Sequence, residues 1–311
     1  MSYHILSIDA YTCSLSCSKG QLICVDEENG ERQLPLEDIA SIVISSFKAS
    51  ITSNLLIEAA KQGIGMILCD AYKPACIVLP VDRASDTEFL RKIAVLPAQF
   101  KKRLWDKTLN AKCYNQYALA TEWIPQHESL PHFKALVSGK SVSRESECAR
   151  LFWKIFSDTH PSIHDFKRSR YEGGANHLLN YAYAVLLSCI LQKLLAIGID
   201  PTFGIFHSPH EHATPLAYDL MEPFRPCFDA NVSRWIKSHV TDDSSCLDEV
   251  SLEYRRHIVA TLSAQVQYLG QSMDLKYAIE QVCRSFRQAI TCGEIAPYEP
   301  WKISTIKWAG F

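Results

Sequence analysis

From residue 2 to about residue 83, polar and apolar positions alternate or form short apolar runs that turn residues separate. This pattern predicts a small β-sheet domain. One segment, SNLLIEAAKQG, instead has helical spacing at Leu55 and Ala59. With Ser53 as a candidate cap and Gly63 as a stop, it predicts one inserted helix. The predicted strands are YHILSID, QLICVD, RQLPL, ASIVIS, GMILCD and ACIVLPV.

After residue 83 the apolar positions follow the helical period. Residues 84–95 are interpreted as a linker that enters a helix, because Ser85 and Glu88 have the spacing of a capping box. We therefore place an N-terminal β domain at residues 1–83 and expect it to act as scaffold and dimer surface.

Residues 96–311 predict a larger, all-α catalytic domain. It begins with one long amphipathic helix or two at residues 96–123. A second helix at residues 141–156 opens with serine caps and carries Glu145 before the apolar residues Leu151 and Phe152. The predicted fold class is α+β and multidomain: a small sheet domain with one inserted helix, followed by a helical domain.

The helix ANHLLNYAYAVLLSCILQKLLAIG is apolar on nearly all sides and predicts the core of the second domain. Its longest apolar run, residues 181–191, is shorter than the roughly 20 residues that span a bilayer. The N-terminal residues alternate polar and apolar and do not resemble a signal peptide. We therefore expect a cytoplasmic protein with no membrane contact.

Composition changes this picture little, since 311 residues with 47% hydrophobic and 21% charged side chains are typical of a folded protein. The twelve cysteines are scattered and include no Cys-x-x-Cys pair. Such cysteines are more typical of buried thiols than of a zinc site or a disulfide framework.

Charge is distributed unevenly along the chain. Residues 1–83 contain 6 basic and 10 acidic side chains, whereas the formal net charge of the whole chain is only −2. Local basic clusters in the second part are candidates for DNA phosphate contacts, although each alone is more typical of a solvated helix face. The candidates are Lys101, Lys102, Arg103, Lys167, Arg168, Arg170, Arg234 and Lys237.

The segment at residues 204–229, GIFHSPHEHATPLAYDLMEPFRPCFD, concentrates the candidate chemistry. Asp219 and Glu222 are three residues apart and would share one face of a helix. Imidazoles and carboxylates together suit a hard divalent ion and a proton-transfer group. The alternative is a surface loop capped by histidines, with the carboxylates facing water. The histidines are His207, His210 and His212.

The PFRP sequence within this segment predicts an interruption of helix. Pro226 lacks an amide donor and biases the preceding Arg225 towards an extended backbone. We expect Arg225 to lie in an extended turn, where it could bind a phosphate.

Four features, in this order and spacing, resemble the CRISPR-associated adaptation integrase ("Cas-one") endonuclease family. They are the helix that carries Glu145, the core helix NHLLNYAYAVLL, the GIFH turn and the DLMEPFRP segment, which is most like the versions in type II systems. The resemblance spans most of the chain. It implies an N-terminal β domain and a C-terminal helical domain, in agreement with the periodicity.

The resemblance also implies a metal site that takes a glutamate, a histidine and a second acidic residue from three segments. By motif match these are Glu145, His207 and Glu222. Relatives have Glu-Gly, two alanines and an aromatic pair in the first motif, and this chain departs from that pattern after Glu145. Glu147 is the runner-up, while Glu172 precedes two glycines but lacks the aromatic pair.

The implied activity is metal-dependent joining of the 3′-hydroxyl ends of foreign DNA fragments, called prespacers, to phosphodiesters at a CRISPR repeat. The implied cofactor is Mg²⁺ or Mn²⁺, and the implied partners are DNA, a second copy of the chain in a homodimer, and a small "Cas-two" protein. Asp219 would support the metal or its neighbours, and His210 and His212 would line the loop or assist proton transfer. The alternatives are a non-catalytic DNA-binding scaffold, a metal-dependent nuclease outside CRISPR adaptation, and a zinc hydrolase that uses the three histidines.

Overall fold

The computed structural model describes most of the chain, in two compact units. The N-terminal unit comprises Met1–Thr87 and Leu191–Asp200, and the helical unit comprises Glu88–Ile190 and Pro201–Phe311. The described residues are 4–8, 12–27, 30–46, 48–70, 73–81, 86–139, 144–163, 166–169, 171–208, 210, 213–240 and 250–304.

The strands of the N-terminal unit form two four-stranded sheets within its described residues, where the sequence pattern predicted one small sheet. The strands are β1 (His4–Ile8), β2 (Thr12–Ser18), β3 (Gln21–Asp26), β4 (Gly30–Pro35), β5 (Ile39–Ile44), β6 (Lys48–Ile51), β7 (Gly65–Asp70) and β8 (Lys73–Val78). One sheet has the order β1-β5-β7-β8 and the other β4-β3-β2-β6. The pattern did not predict β6, because its sequence KASI contains one large apolar residue.

The core of the N-terminal unit lies among these sheets and the inserted helix α1 (Ser53–Lys61). Leu15, Leu22 and Leu55 are buried there. The N-cap of α1 is Thr52 and not Ser53, because the Thr52 hydroxyl accepts the Leu55 amide at 3.3 Å.

The remaining helices are α2 (Thr87–Ala94), α3 (Ala98–Trp123), α4 (Leu130–Ser138), α5 (Arg144–Thr159), α6 (Ala175–Ala196), α7 (Pro215–Met221), α8 (Arg225–His239), α9 (Leu252–Ala260) and α10 (Leu275–Cys292). The segment predicted as one helix or two at residues 96–123 is the single 26-residue helix α3. Helix α4 begins at Leu130, and Pro131 lies in its first turn, where a missing amide costs no hydrogen bond. The predicted caps Ser85 and Ser141 lie outside the described residues.

A β-hairpin interrupts the helices near the C-terminus, formed by β9 (Gln265–Tyr268) and β10 (Gln271–Asp274). Leu269 is 70% exposed in the turn. Leu269 and Gly270 both have positive φ, at 48° and 79°, which is the backbone of a two-residue hairpin turn.

Helix α6, among the described residues, is long and apolar enough to cross a membrane by length and composition. In this structure 78% of its most apolar window is buried, as expected for a core helix. A strand-rich N-terminal region followed by a mostly helical region confirms the predicted fold class.

Candidate active site

Four charged side chains of the helical unit meet where α3, α5 and the 3-10 helix Glu222–Phe224 come together. Lys112 Nζ lies 2.8 Å from Glu145 Oε1 and 2.7 Å from Glu222 Oε2. Arg225 Nε lies 2.9 Å from Glu222 Oε1. We call Glu145, Glu222, Lys112 and Arg225 the acid cluster. Two anions and two cations alternate, so the buried charge of Glu222 is compensated on both sides.

Local structure explains why Glu145 and Lys112 face the cluster. Glu145 lies in the first turn of α5, where the helix dipole favours a negative charge. Lys112 lies one turn from Thr108 and from Gln116, both buried on α3. The sequence analysis did not identify Lys112. Polar residues at four-residue spacing on the buried side of α3, such as Thr108 and Gln116, could have indicated it.

The cluster keeps Glu222 ionised and Lys112 charged. Burial alone would raise the pKa of Glu222, but Arg225 and Lys112 outweigh it and hold that pKa at about 2. Burial alone would lower the pKa of Lys112, but Glu222 and Glu145 raise it above its usual value. His207 is near enough to contribute to the lowered pKa of Glu222.

The imidazole of His207 is oriented by Asp219, which is fully buried on α7. Asp219 Oδ1 accepts the His207 amide at 3.1 Å and lies 2.7 Å from His207 Nδ1. Asp219 Oδ2 accepts the amides of Ile205 at 2.6 Å and Phe206 at 3.2 Å. Because a carboxylate only accepts, Nδ1 donates the hydrogen in this bond. Carboxylate–histidine pairs of this kind orient metal-binding imidazoles.

The turn before His207 depends on a glycine. A Cβ on Gly204 would lie 2.5 Å from the His207 carbonyl oxygen and 2.8 Å from Asp219 Oδ2. On the other side of the turn, Phe206 stacks on Trp105 of α3 with ring centroids 4.3 Å apart. The His207 ring meets Trp105 edge-on at 6.0 Å. Close approach on one side and aromatic stacking on the other fix the position of His207.

The prediction that Arg225 lies in an extended turn was wrong. Its backbone is helical, with φ −51° and ψ −46°, and the 3-10 helix continues directly into α8. Pro223 and Pro226 each lie in the first turn of their own helix, where no amide partner is required. The Arg225 side chain contacts Glu222 and lies over the Tyr183 ring at 4.6 Å.

Asp219 and Glu222, which were predicted to share one face of a helix, form different contacts. The helix tightens to 3-10 geometry at Glu222, and the two carboxylates have different partners. Asp219 holds the His207 turn, whereas Glu222 belongs to the acid cluster.

The competing acidic and histidine candidates lie elsewhere. Glu147 faces the surface, bound to Arg150 at 2.8 Å and to His132 at 3.4 Å, and these partners lower its pKa. Glu172 and His210 are exposed, and His212 lies outside the described residues.

The basic candidates lie on three separate segments of the helical unit. Lys101, Lys102 and Arg103 lie in the first turns of α3, and Lys102 is paired with Asp106. Arg234 and Lys237 lie on α8, with Arg234 partly buried. Lys167 is exposed, Arg168 points inward to Asn176 and Asn180, and Arg170 lies outside the described residues.

The C-terminal segment packs on its own unit as far as residue 304. Asn115 of α3 donates to the carbonyl oxygens of Pro223 and Trp301 and accepts the Ile303 amide at 2.8 Å. Trp301 stacks on Phe224 at 5.6 Å. These contacts brace the 3-10 helix that carries Glu222.

The donor types at the cluster fit a hard divalent ion, since two carboxylates and an imidazole nitrogen suit Mg²⁺ or Mn²⁺. Glu222 Oε2 is buried without a well-aligned hydrogen bond from any described residue, although Lys112 Nζ is 2.7 Å away. Lys112 therefore supplies the cationic charge between the carboxylates. In the described ranges, no three His, Cys, Asp or Glu side chains are already gathered as a metal site.

Comparison with protein families gives one match over most of the chain. The family model described as CRISPR associated protein Cas1 matches residues 6–252. The CRISPR-associated endonuclease Cas1 of Neisseria meningitidis serogroup C is 29% identical over 291 residues, which cover 89% of each chain. That of Korarchaeum cryptofilum is 22% identical and covers 96% of this chain and 98% of its own.

Solved structures share the fold. A casposase bound to integration product superposes with a TM-score of 0.73 at 20% identity, covering 98% of this chain and 96% of its own. A Cas1 protein from Thermotoga maritima gives 0.71 at 13% identity, covering 98% and 100%. A Cas6-RT-Cas1–Cas2 complex gives 0.75 at 15% identity, with 96% of this chain and 36% of that chain covered.

Proposed function

The chain belongs to the Cas1 family of CRISPR adaptation endonucleases and integrases, and from that premise we propose that it is a metal-dependent DNA integrase. The observation that carries the proposal is the placement of Glu145 and Glu222 on one shared cation, with the Asp219-oriented His207 nearby. Two carboxylates that already share the positive charge of Lys112 form a natural site for a divalent ion.

Glu145, Glu222 and His207 Nε2 would hold the ion, and the Lys112 ammonium would give way to it. When bound, Mg²⁺ or Mn²⁺ would stabilise the negative charge that develops on the reacting phosphate. Asp219 keeps His207 in the tautomer that presents Nε2. Arg225, held against Glu222, supplies a fixed positive charge beside the phosphate.

The reaction we propose is a transesterification. The oxygen of a fragment's 3′-hydroxyl forms a bond to phosphorus at the repeat boundary and loses its proton. The bond from that phosphorus to the neighbouring 3′-oxygen breaks, and the leaving oxygen takes up a proton. With water as the nucleophile, the same site hydrolyses DNA.

DNA, a second copy of the chain and a small Cas2 protein are the partners we propose. The fold is shared with a casposase described as bound to integration product and with Cas1 in a complex that includes Cas2. We assign the chemistry to the helical unit, and a scaffold and dimer role to the N-terminal unit. We place the protein in the cytoplasm, where foreign DNA fragments are found.

The test is an integration assay with a DNA fragment, a repeat-bearing plasmid and Mn²⁺, with and without a Cas2 protein. We expect Glu145→Gln, His207→Ala and Glu222→Gln each to lower joining at least about 100-fold. Mn²⁺ binding, followed by electron paramagnetic resonance, should weaken in the same variants.

Glu147→Gln is the matched control, because it makes the same chemical change on the surface of the same helix. It should join DNA and bind Mn²⁺ as the unsubstituted protein does. Full joining activity in folded Glu222→Gln protein would refute the site.

A further inference from the structure

The 3-10 helix Glu222–Phe224 contains a carbonyl group that its own turn cannot satisfy in the usual way. A 3-10 turn bonds each carbonyl oxygen to the amide three residues later. The Glu222 carbonyl oxygen receives such a bond from the Arg225 amide. For the Pro223 carbonyl the corresponding residue is Pro226, which has no amide hydrogen. The second proline of the PFRP sequence therefore leaves the Pro223 carbonyl without its 3-10 donor.

Asn115 of α3 supplies a donor at this point. Its Nδ2 lies 2.7 Å from the Pro223 carbonyl oxygen and 3.1 Å from the Trp301 carbonyl oxygen. Asn115 is fully buried, so both hydrogen bonds are shielded from water. A buried amide with this set of bonds holds its partners in one arrangement, because a displacement would leave buried polar groups without partners.

The C-terminal segment sets the orientation of the Asn115 amide. Asn115 Oδ1 accepts the Ile303 amide at 2.8 Å, while Nδ2 faces two carbonyl oxygens. An amide oxygen only accepts, so a flipped side chain would place Oδ1 against two acceptors and Nδ2 against a donor. The Ile303 amide therefore directs Nδ2 towards the Pro223 carbonyl.

Other contacts anchor the C-terminal segment independently of Asn115. Trp301 stacks on Phe224 with the ring planes 12° apart, and its Nε1 donates to the Gln267 carbonyl oxygen at 3.1 Å. The Tyr298 hydroxyl lies 2.8 Å from the Thr108 hydroxyl of α3. The segment should therefore stay packed when Asn115 is changed.

Helix α3 contacts the Glu222 segment at two points on one face, because Lys112 and Asn115 are three residues apart. Lys112 Nζ lies 2.7 Å from the Glu222 carboxylate, and Asn115 holds the carbonyl of the next residue, Pro223. Lys112 Nζ also lies 2.8 Å from Glu145 Oε1. Helix α3 thus holds both the side chain and the backbone of the turn, and so sets where the Glu222 carboxylate lies relative to Glu145.

We propose that Asn115 is a positioning residue, which places Glu222 for metal binding through the Pro223 carbonyl and is itself oriented by the C-terminal segment. The proposal rests on the proposed function, because Glu222 is a metal ligand there. When the ion takes the place of Lys112, Asn115 still fixes the turn from α3. The proposal also gives the PFRP sequence a role, since its second proline leaves the Pro223 carbonyl to Asn115.

The first test is Asn115→Ser, with Mn²⁺ binding followed by electron paramagnetic resonance in the absence of DNA. The serine side chain ends one atom short of Nδ2, so the bond to Pro223 is lost. We expect Mn²⁺ affinity to fall about 10-fold, as for other groups that support metal ligands. Joining should need a correspondingly higher Mn²⁺ concentration, while the DNA concentration for half-maximal joining stays the same.

Thr108→Val is the matched control. Thr108 is also fully buried on α3 and binds the same C-terminal segment, two turns before Asn115, through the Tyr298 hydroxyl. Its loss should lower the melting temperature and leave Mn²⁺ affinity unchanged. If Asn115 only stabilised the fold, both variants would melt at a lower temperature and bind Mn²⁺ as the unsubstituted protein does.

Ile303→Pro tests the orientation of the Asn115 amide without changing Asn115. Proline removes the amide that Oδ1 accepts, so Nδ2 is no longer directed to the Pro223 carbonyl. We expect Mn²⁺ affinity to fall about 5-fold, as for the loss of one hydrogen bond. Ile303→Val keeps the amide, has a side chain close to proline in size and should bind Mn²⁺ normally. This pair decides the question even if Asn115→Ser protein does not fold.

A double-mutant cycle in EDTA tests the positioning without metal. Glu222→Gln should lower the urea midpoint less in Asn115→Ser protein than in unsubstituted protein, because a displaced carboxylate has already weakened its contacts with Lys112 and Arg225. In Thr108→Val protein the full decrease should remain.

The outcomes separate the two proposals. Unchanged Mn²⁺ affinity in Ile303→Pro protein and in folded Asn115→Ser protein would overturn the positioning role, even if Glu222→Gln abolishes both Mn²⁺ binding and joining. Failure of the unsubstituted protein to bind Mn²⁺, combined with non-additive urea midpoints in the cycle, would overturn the metal-dependent reaction and leave Asn115 as the residue that places Glu222.

Discussion

Glu222 is 4% exposed and lies between Lys112 and Arg225, so its charge stabilises the fold as well as the proposed site. Its folded pKa of about 2 is below its usual value of 4.5. The unfolded chain therefore takes up a proton first as pH falls. The stability that this carboxylate contributes is complete above about pH 4.5 and is lost as pH falls towards 2.

We expect Glu222→Gln to lower the free energy of unfolding at pH 7 by about 3 kcal/mol, because two buried cations lose their shared partner. Below pH 4.5 the variant should lose less stability than the unsubstituted protein. Guanidinium unfolding at a series of pH values measures both effects, with the surface change Glu147→Gln as control. Parallel pH profiles for Glu222→Gln and the unsubstituted protein would contradict the assignment.

At the scale of elements, the turn that carries His207 depends on close approach at Gly204. A methyl group there would meet the His207 carbonyl oxygen at 2.5 Å, so Gly204→Ala must displace the turn. Since a misplacement of about 1 Å can lower a catalytic rate about 100-fold, we expect a loss of that order in joining. The helical circular dichroism signal should be retained.

Gly65→Ala in β7 is the control for this change. There the added methyl meets the flexible end of the Leu79 side chain at 3.3 Å, and we expect joining to be unaffected. Equal joining by Gly204→Ala and Gly65→Ala proteins would show that the turn does not position a reacting group.

The hairpin of β9 and β10 holds an exposed leucine in a left-handed backbone. Asparagine tolerates this conformation better than leucine, so Leu269→Asn should raise the free energy of unfolding by about 0.5–1 kcal/mol. Val95→Asn replaces another exposed apolar residue whose φ is not positive and should give no such gain. A lower denaturation midpoint for Leu269→Asn would contradict the expected turn effect.

At the scale of the whole molecule, the acid cluster and His207 both lie in the helical unit. Leu15 and Leu151 are buried in the cores of the N-terminal and helical units, respectively. Each Leu→Ala change should cost about 2–5 kcal/mol of stability. Only Leu151→Ala should lower DNA cleavage per folded molecule, because Leu151 is on the helix that carries Glu145.

This comparison is measured as cleavage of branched DNA with Mn²⁺, normalised to the folded fraction from circular dichroism. An equal loss of cleavage in folded Leu15→Ala protein would place part of the chemistry in the N-terminal unit.

The sequence by itself determined the broad order of the chain. Alternating apolar positions before residue 83 and helical spacing after it predicted sheet and then helix, because local periodicity reports which face of an element is buried. The DLMEPFRP segment was specific enough to identify the family, which the comparisons confirm. The assignment of metal to Glu145, His207 and Glu222 stays a prediction.

The tertiary structure alone decided which side chains meet. Lys112 contacts Glu145, 33 positions away, and Glu222, 110 positions away, and no local pattern encodes such distances. Arg225 is helical because Pro223 and Pro226 each lie in the first turn of a helix, which the sequence pattern did not show. Gln116 reads in the sequence as an ordinary polar residue of a helix. Only the packing of α5 and α8 against α3 makes it an unsatisfied amide in a cavity, because burial belongs to the assembled fold.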